Sequence, residues 1–407
     1  MQEVATPKKT QNKLNKTKIT TIQVVKKSWL KKALKSNSEF VEMNKLENSK
    51  LSKFEYKRIG EGEGFLGNIY MLSTFWTNKS DETSKEIESN VNSFSQISQK
   101  INLNFTLTEN QKEKRIEIVL KMTSQGFDKG MIKRVFVPEI LFFSIAKKLL
   151  KNSFKYIPKV FFSNYTKESA LLLMEYISSD QKVCFEDGLT DAQVEASLAS
   201  LAAFHSDTIS NTKKCEIEGV GKGFKNLVKA FREQVSGISK YSLLIPKEKI
   251  EFLCTLQGEL KQKCKQLKNS TLFCASHGDL WSSNLLFRNS SEDQSLKAFL
   301  IDFQFVFWAS PVIDLLTLIC SSVSSEGRNR KEEHWIKNVY FPLLSSFLQK
   351  SRRTSQVDLG TAEEFFHFYQ SNKFYGLSFC VASLPLFLSN DKQKQAKMFD
   401  RFLSIIE

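Results

Sequence analysis

Two short segments contain the residues of this chain whose types and spacing could do chemistry. Residues 277–284 read HGDLWSSN, and residues 300–304 read LIDFQ. The carboxylate of Asp279 could accept a proton from an attacking hydroxyl, while the amide oxygen of Asn284 and the carboxylate of Asp302 could hold the magnesium ion of ATP. Each segment also has a plain structural explanation, because HGD can be a turn and an Asp that ends a strand can bind a backbone amide. Phosphoryl transfer therefore needs support from the rest of the chain.

A glycine-rich stretch upstream could bind phosphate. Residues 60–67 read GEGEGFLG, which places Gly62, Gly64 and Gly67 in the spacing GxGxxG. In a dinucleotide-binding fold these glycines lead into a helix. Here they lead into NIYML, which is typical of a strand, and a turn between two strands suits a flap whose backbone amides lie over the phosphates of ATP. A plain hairpin is the alternative.

A lysine and a glutamate follow at positions that fit the same site. Lys121 interrupts an apolar strand over residues 116–122, and Glu139 falls in the first turn of a helix that Pro138 opens. The hypothesis is that Lys121 reaches the α- and β-phosphates and pairs with Glu139. The alternatives are a surface lysine on a strand and an acid that favours a helix N-terminus through the helix dipole.

A further apolar strand, residues 171–176, ends in Met174, Glu175 and Tyr176. It stands at the junction between a β-rich and a helical half of the chain, where backbone groups could meet an adenine ring. A strand that only contributes to the core would look the same.

The elements that must position these residues indicate an α+β fold with two lobes. Residues 1–20 are predicted to be a disordered basic tail, and residues 21–50 an amphipathic helical segment that packs on its own domain. Residues 51–178 form a small β-rich N-lobe that binds nucleotide and contains a long polar insertion at 77–112. Residues 179–407 form a larger, mostly helical C-lobe with the catalytic loop and the substrate pocket.

The charge and cysteine content exclude several function classes. The formal net charge is +15, but residues 1–60 hold fourteen Lys and one Arg against five Glu, so two thirds of the excess belongs to the first sixty residues. We therefore expect no specific nucleic-acid partner, and a basic module that binds RNA or acidic lipid remains an alternative for residues 1–60 only. Seven scattered Cys and four His show no zinc-ligand pattern and predict reduced thiols in or near the core.

The hydropathy pattern predicts no transmembrane segment. The longest apolar run, near residues 374–388, includes Pro385 and is too short to cross a bilayer, so it is predicted to be a buried helix. The start of the chain lacks the apolar core of a secretory signal. We therefore expect a cytoplasmic location. A transit peptide is the alternative, because residues 7–35 are rich in Lys and Thr and hold no acid, although they lack the Arg bias of such peptides.

With these residues in this order, the chain resembles the choline-kinase-like, or ecdysteroid-kinase-like, family, which has a protein-kinase-like fold together with choline kinases and aminoglycoside phosphotransferases. The resemblance rests on residues 60–70, 119–122, 171–176, 274–287 and 300–304, and on LASLAAFH at 198–205. It implies ATP- and Mg²⁺-dependent phosphorylation of a hydroxyl on a small molecule such as a sterol, an amino alcohol or a glycoside. It also implies that Asp279 is the base, and that Asn284 and Asp302 bind the metal.

Two residues and one missing segment separate this pattern from that of protein kinases. Gly278 stands where protein kinases have Arg, Gln304 stands where their metal-binding motif has Gly, and no APE segment follows. The predicted acceptor is therefore a small molecule. The alternative function is a catalytically silent ATP-binding regulatory protein of the same fold.

Overall fold

The computed structural model describes residues 25–59, 68–78, 113–123, 129–181, 183, 186–209, 223–242, 244–268, 272–291, 293–350, 357–387 and 392–406. The chain forms two compact units, of which unit 1 comprises Met1–Ile132 with Lys159–Tyr176, and unit 2 comprises Lys133–Pro158 with Ile177–Glu407. The predictions for Gly62, Gly64 and Gly67, for the tail at 1–20 and for most of the insertion lie outside the described residues.

Unit 1 is built on one antiparallel sheet of five strands in the order β1-β2-β3-β5-β4. Its elements are α1 (Lys27–Lys35), α2 (Ser38–Met43), β1 (Ser49–Ile59), β2 (Asn68–Asn78), β3 (Lys114–Met122), α3 (Lys129–Met131), β4 (Val160–Tyr165) and β5 (Ala170–Glu175). The strands predicted on both sides of the glycine-rich stretch are present. The insertion begins later than predicted, because β2 continues through Asn78.

The core of unit 1 follows from the alternation of side chains along the strands. Ile118, Leu120 and Met122 of β3 are fully buried on one face of the sheet. Helix α1 buries Leu30, Ala33 and Leu34 in the same cluster. The prediction that this helix packs on its own domain is therefore confirmed, and the helix begins at Lys27, after the extended backbone of Lys26.

Unit 2 is mainly helical and contains two short strand pairs, β6 with β9 and β7 with β8. A π-helical stretch, Ile132–Phe136, leads into its first helix, α4. Its helices are α4 (Val137–Leu149), α5 (Asp191–Ile209), α6 (Gly223–Ser236), α7 (Lys247–Lys268), α8 (Val312–Ser322), α9 (Ser325–His334), α10 (Phe341–Lys350), α11 (Ala362–Ser371), α12 (Lys373–Ala382), α13 (Leu384–Phe387) and α14 (Lys392–Leu403). Its strands are β6 (Cys274–Ser276), β7 (Leu285–Asn289), β8 (Leu296–Leu300) and β9 (Phe307–Ala309).

Helix α8 forms the centre of unit 2, because every one of its residues is buried. The apolar run predicted as one buried helix is divided into α12 and α13 at Ser383. Four of the five described cysteines are buried as predicted, but Cys254 is exposed on α7. Within the part of the chain that the structure describes, no helix is long and apolar enough to span a membrane. The α+β fold class is confirmed.

Candidate active site

Asp279, Asn284 and Asp302 all belong to unit 2, where a strand pairing brings two of them to one place. Asn284 directly precedes β7 and Asp302 follows β8. In the hairpin Leu285 is paired with Leu300, and the next residue on, Ile301, donates its N–H to the carbonyl oxygen of Asn284 at 3.1 Å. The two candidate metal ligands therefore lie at the same end of the β7–β8 hairpin.

Asn284 is joined directly to Asp279. Its Nδ2 donates to the backbone oxygen of Asp279 at 2.7 Å and to the Oδ2 of Asp279 at 3.1 Å. Because Nδ2 faces Asp279, the other side-chain atom of Asn284, Oδ1, is the one that could coordinate a cation. Asn284 is buried and Asp279 is half-buried, so the fixed amide lies beside a carboxylate that solvent can reach.

His277 joins the HGD loop to the LIDFQ segment at residues 300–304. Its Nε2 lies 2.8 Å from the carbonyl oxygen of Ile301, the residue before Asp302, and its ring centroid lies 4.6 Å from that of Phe303. A carbonyl only accepts, so Nε2 carries the proton. His277 therefore holds the loop to the residue before Asp302 by a hydrogen bond.

Gly278 occupies a position that a side chain cannot share. Its φ is +79°, and a Cβ atom would lie 2.4 Å from the carbonyl oxygen of Phe305 and 2.9 Å from the ring of Phe307. Both the left-handed backbone and the close approach require glycine. The residue that distinguishes this loop from that of protein kinases is therefore fixed by packing.

Asp314 is a functional residue that the sequence reasoning missed. It lies fully buried in the first turn of α8 and accepts the N–H groups of His277 at 2.7 Å and Gly278 at 2.9 Å. A buried carboxylate that accepts backbone N–H groups makes strong, charge-assisted hydrogen bonds. Asp314 therefore sets the backbone that carries Asp279. An acid within the apolar run VIDLLTLI was the signal that could have revealed it.

The other contacts of Asp314 form a buried chain of hydrogen bonds. His205 Nε2 lies 3.0 Å from Asp314 Oδ2, and His205 Nδ1 lies 2.7 Å from the hydroxyl of Tyr340. Burial, followed by the charges of Cys274 and Asp314, raises the pKa of Tyr340 well above its usual value. Tyr340 therefore keeps its proton, and its hydroxyl ends the buried chain of hydrogen bonds that begins at Asp314.

Asp302 has a left-handed backbone with φ 65° and ψ 67°. This conformation is uncommon outside glycine and occurs where surrounding structure enforces it. The next residue, Phe303, is fully buried and stacks on Phe142 of α4 with ring centroids 4.5 Å apart. The packing of Phe303 thus supports the strained backbone that carries the Asp302 carboxylate.

An aromatic cluster adjoins Gly278. Phe224 contacts Phe307 with ring centroids 5.2 Å apart and Tyr375 with centroids 5.8 Å apart. Burial raises the pKa of Tyr375 well above its usual value, with smaller contributions from Cys264, Asp314 and Asp279 in that order. Tyr375 therefore stays uncharged, and the neighbourhood of the catalytic loop is apolar and aromatic on this flank.

The nucleotide-side residues of unit 1 occupy neighbouring strands. In the antiparallel sheet, Lys121 of β3 is paired with Ile69 of β2 and with Leu172 of β5. Ile69 is two residues from Gly67. The insertion joins the opposite ends of β2 and β3, so it does not move Lys121 away from the end of the glycine-rich stretch. Lys121 is only 3% exposed.

The remaining predicted residues lie on both units. Met174 is buried in β5 and Tyr176 follows its end. Glu175 accepts the N–H of Lys159 through Oε2 at 3.2 Å and donates its own N–H to the Lys159 carbonyl at 2.8 Å, which joins β5 to the start of β4. Glu139 lies in the first turn of α4 in unit 2 and is 1% exposed. The pairing of Lys121 with Glu139 stays a prediction.

The donor set at the hairpin end fits a magnesium ion better than a transition metal. Across the described ranges, no group of three or more His, Cys, Asp or Glu side chains is arranged to hold a metal. Mg²⁺ characteristically takes only one or two protein ligands and completes its shell with phosphate oxygens and water. One carboxylate at Asp302 and one amide oxygen at Asn284 match that requirement.

Three features define a protein-kinase-like fold. The sheet has the order β1-β2-β3-β5-β4, helix α4 stands between β3 and β4 in the chain, and the HGD loop and Asp302 lie in the helical unit. The chain belongs to the ecdysteroid kinase-like family, whose model matches residues 91–352. A kinase-like protein of Caenorhabditis elegans, itself uncharacterised, is 22% identical over 232 residues, which are 52% of this chain and 57% of that protein. The match thus spans little more than half of the length of that relative.

Two solved structures are similar over most of their length. Choline kinase from Cryptosporidium parvum is 14% identical with a TM-score of 0.46, and the alignment covers 92% of this chain and 90% of that one. Ethanolamine kinase from Plasmodium vivax is 11% identical with a TM-score of 0.43, and the alignment covers 87% of this chain and 82% of that one.

Proposed function

We propose that this protein transfers the γ-phosphate of ATP to a hydroxyl of a small molecule such as a sterol, an amino alcohol or a glycoside. The observation that carries the proposal is the joined pair Asp279 and Asn284, in which Nδ2 of the amide lies 3.1 Å from the carboxylate. Asp302 stands at the same hairpin end. This arrangement supports a role for Asp279 as the proton acceptor and for Asn284 and Asp302 as ligands of a hard cation.

Asp279 is assigned the role of orienting the attacking hydroxyl and accepting its proton. The hydroxyl oxygen bonds to the γ-phosphorus, the bond from that phosphorus to the bridging oxygen breaks, ADP leaves, and the hydroxyl proton passes to an Asp279 oxygen. The contribution of Asp279 is mainly orientation, because in a loose transition state the attacking oxygen has formed little bond to phosphorus and its proton need not yet have left. The bond from Asn284 holds the carboxylate in one orientation.

Asn284 and Asp302 are assigned a magnesium ion, which supplies neutralisation of the phosphate charge when it is bound with ATP. Asn284 contributes Oδ1 and Asp302 contributes a carboxylate oxygen. The packing of Phe303 and the bond from Ile301 to Asn284 keep both donors in fixed positions. Such preorganisation reduces the cost of assembling the site.

The phosphates of the nucleotide are assigned to residues of unit 1. Lys121 is assigned the α- and β-phosphates, and the glycine-rich stretch with Gly62, Gly64 and Gly67 is assigned the same phosphate chain. The backbone at the end of β5, around Met174, Glu175 and Tyr176, meets the adenine. The register that puts Lys121 beside Ile69 supports the first of these assignments.

The acceptor is a small molecule, because the features with which protein kinases bind peptides are missing from the sequence. Gly278 replaces the Arg of their catalytic loop, and its site has no room for any side chain. Gln304 is buried where their metal motif has Gly.

The test is the variant Asp279→Asn, assayed for ADP formation with a panel of sterols, amino alcohols and glycosides and with cell-extract metabolites followed by mass spectrometry. We expect kcat to fall by about 10²–10⁴-fold while the fold is retained. Asp293→Asn is the matched control, because Asp293 is an exposed residue in the β7–β8 turn. Its kcat should equal that of the wild type.

Three outcomes separate the candidate functions. Loss of turnover in Asp279→Asn alone supports the proposal, and equal turnover in Asp279→Asn and the wild type contradicts the role of Asp279. Stabilisation by ATP without turnover on any acceptor would favour the catalytically silent ATP-binding alternative.

A further inference from the structure

The C-terminal end of α8 is held by buried positive charge. Arg401 of α14 donates from Nη1 to the Ser321 carbonyl at 3.0 Å, Arg328 of α9 donates from Nη1 to the Val323 carbonyl at 2.8 Å, and the Leu189 N–H binds the Ser322 carbonyl at 2.7 Å. The last carbonyls of a helix have no partner within the helix and carry partial negative charge. Here two guanidinium groups and a backbone N–H satisfy them, so this helix end has one fixed position.

The side chain of Ser322 extends this fixed helix end to the catalytic loop. Its Oγ accepts the N–H of Ser282 at 2.9 Å and lies 3.0 Å from the Oγ of Ser321. The hydroxyl of Ser321 donates its proton to the Thr317 carbonyl at 2.6 Å. The Ser322 hydroxyl therefore donates to Ser321 and uses a lone pair for the loop. All four residues are buried.

The bond to Ser282 restrains Asn284. Ser282 begins the single 3₁₀ turn Ser282–Asn284, which the Asn284 N–H closes by donating to the Trp281 carbonyl at 2.9 Å. A shift of the Ser282 amide would rotate this turn and move the Asn284 side chain with it. Since Asp314 binds the loop near the other end of α8, one helix holds the catalytic loop at two points about 12 Å apart along its axis.

We propose that Ser322 is a positioning residue for the cation-binding amide of Asn284, and that Arg401 of α14 secures the helix end that presents Ser322. This inference rests on the proposed function, because it is the proposal that assigns Asn284 to magnesium. It adds a residue that lies outside all the sequence motifs, although its side chain is hydrogen-bonded to one of them. It also gives α14 a part in the site through Arg401, which is only 2% exposed. Besides its bond to α8, Arg401 donates from Nη2 to the carbonyl oxygen of Glu186 at 2.8 Å.

The test measures cation binding without turnover. Thermal unfolding of the protein with saturating ADP is followed as Mg²⁺ is titrated, and the Mg²⁺ concentration at half of the maximal stabilisation is compared among variants. For Ser322→Ala we expect this midpoint to rise about 10-fold, the usual effect of removing a group that orients a metal ligand. Ser378→Ala is the matched control, because Ser378 is equally buried but its hydroxyl binds only the Phe374 carbonyl of its own helix, at 2.7 Å.

The outcomes are distinct. A midpoint raised in Ser322→Ala and unchanged in Ser378→Ala supports the inference, and equal midpoints in both variants and the wild type overturn it. If the wild type shows no Mg²⁺-dependent stabilisation with ADP, the proposed function fails and the inference fails with it. If Ser322→Ala does not fold, Ser322→Cys gives the result, because a thiol preserves the volume but is a weak acceptor. A wild-type midpoint in Arg401→Lys would overturn the assigned role of Arg401.

Discussion

The substitution Gly278→Ala adds one methyl group at a tightly packed point of the HGD loop. The new Cβ would lie 2.4 Å from the carbonyl oxygen of Phe305, where an ordinary contact needs 3.4 Å or more. The neighbour is backbone and cannot rotate away, so the loop must move by about 1 Å. The moving residue also donates its N–H to Asp314 at 2.9 Å, and Asp279 is the next residue in the chain.

These contacts set the size of the expected effect. A left-handed backbone costs a residue with a Cβ about 1–2 kcal/mol, and overpacking adds about 1–3 kcal/mol. We therefore expect the free energy of unfolding to fall by about 2–5 kcal/mol. A displacement of about 1 Å at a reacting group costs about 10² in rate. The kcat of the folded Gly278→Ala variant should thus be about 100-fold below that of the wild type.

The assay pairs urea unfolding with steady-state turnover on the acceptor that the wild type uses. Gly258→Ala is the matched control, because Gly258 is exposed within α7 and a Cβ there meets nothing within 4 Å. That variant should be more stable by up to about 1 kcal/mol, with unchanged kcat. Wild-type stability and kcat in Gly278→Ala would refute the reasoning. Lost stability with unchanged kcat would show that the displacement does not reach Asp279.

Two further predictions follow from buried groups. Asp314→Asn replaces one of the two acceptor oxygens with an NH2 donor, so either the His277 or the Gly278 N–H would face a donor. The free energy of unfolding should fall by about 3 kcal/mol and kcat by about 10-fold; urea unfolding and turnover check this, and an unaltered kcat would contradict the support role. Burial raises the pKa of Cys264 and Cys320 to about 12, so their contribution to stability is complete below pH about 8.5. It should then decrease by up to about 1.4 kcal/mol per pH unit for each thiol as pH rises towards 12, because the unfolded chain loses its protons first. Urea unfolding in reductant between pH 7.5 and 10 measures this slope, and Cys→Ala variants should flatten it.

Local pattern was sufficient for the elements that carry the motifs. The alternation of Ile118, Leu120 and Met122 predicts β3 and its buried face, and Pro138 marks the start of α4. These signals depend on neighbours in sequence, which is why they could be read from the chain alone. The start of α1 is not marked in the sequence, because Lys26 has extended backbone and its side chain makes no capping hydrogen bond.

Pairing and burial at long range could not be read in the same way. The register that pairs Lys121 with Ile69 depends on which ends of β2 and β3 the insertion joins. The number of residues between Ile69 and Lys121 does not reveal that the two are neighbours in the sheet. Arg328 and Arg401 occur in strongly polar helices that look exposed, yet each is at most 4% exposed because helix-end carbonyls bind it. Composition cannot show a cation whose partners are backbone atoms.

The burial of α8 explains how a loop can hold the candidate site residues in fixed positions. Loop backbones are generally mobile, and a site built on a rigid element is more precise. Here the loop receives its rigidity from the helix, through Asp314 at one end and Ser322 at the other. The helix itself has no freedom to shift, because α12 approaches so closely that a Cβ at Gly376 would lie 2.4 Å from the Sγ of Cys320. A change in this helix contact would therefore alter Asp279 and Asn284 together, although neither residue touches it.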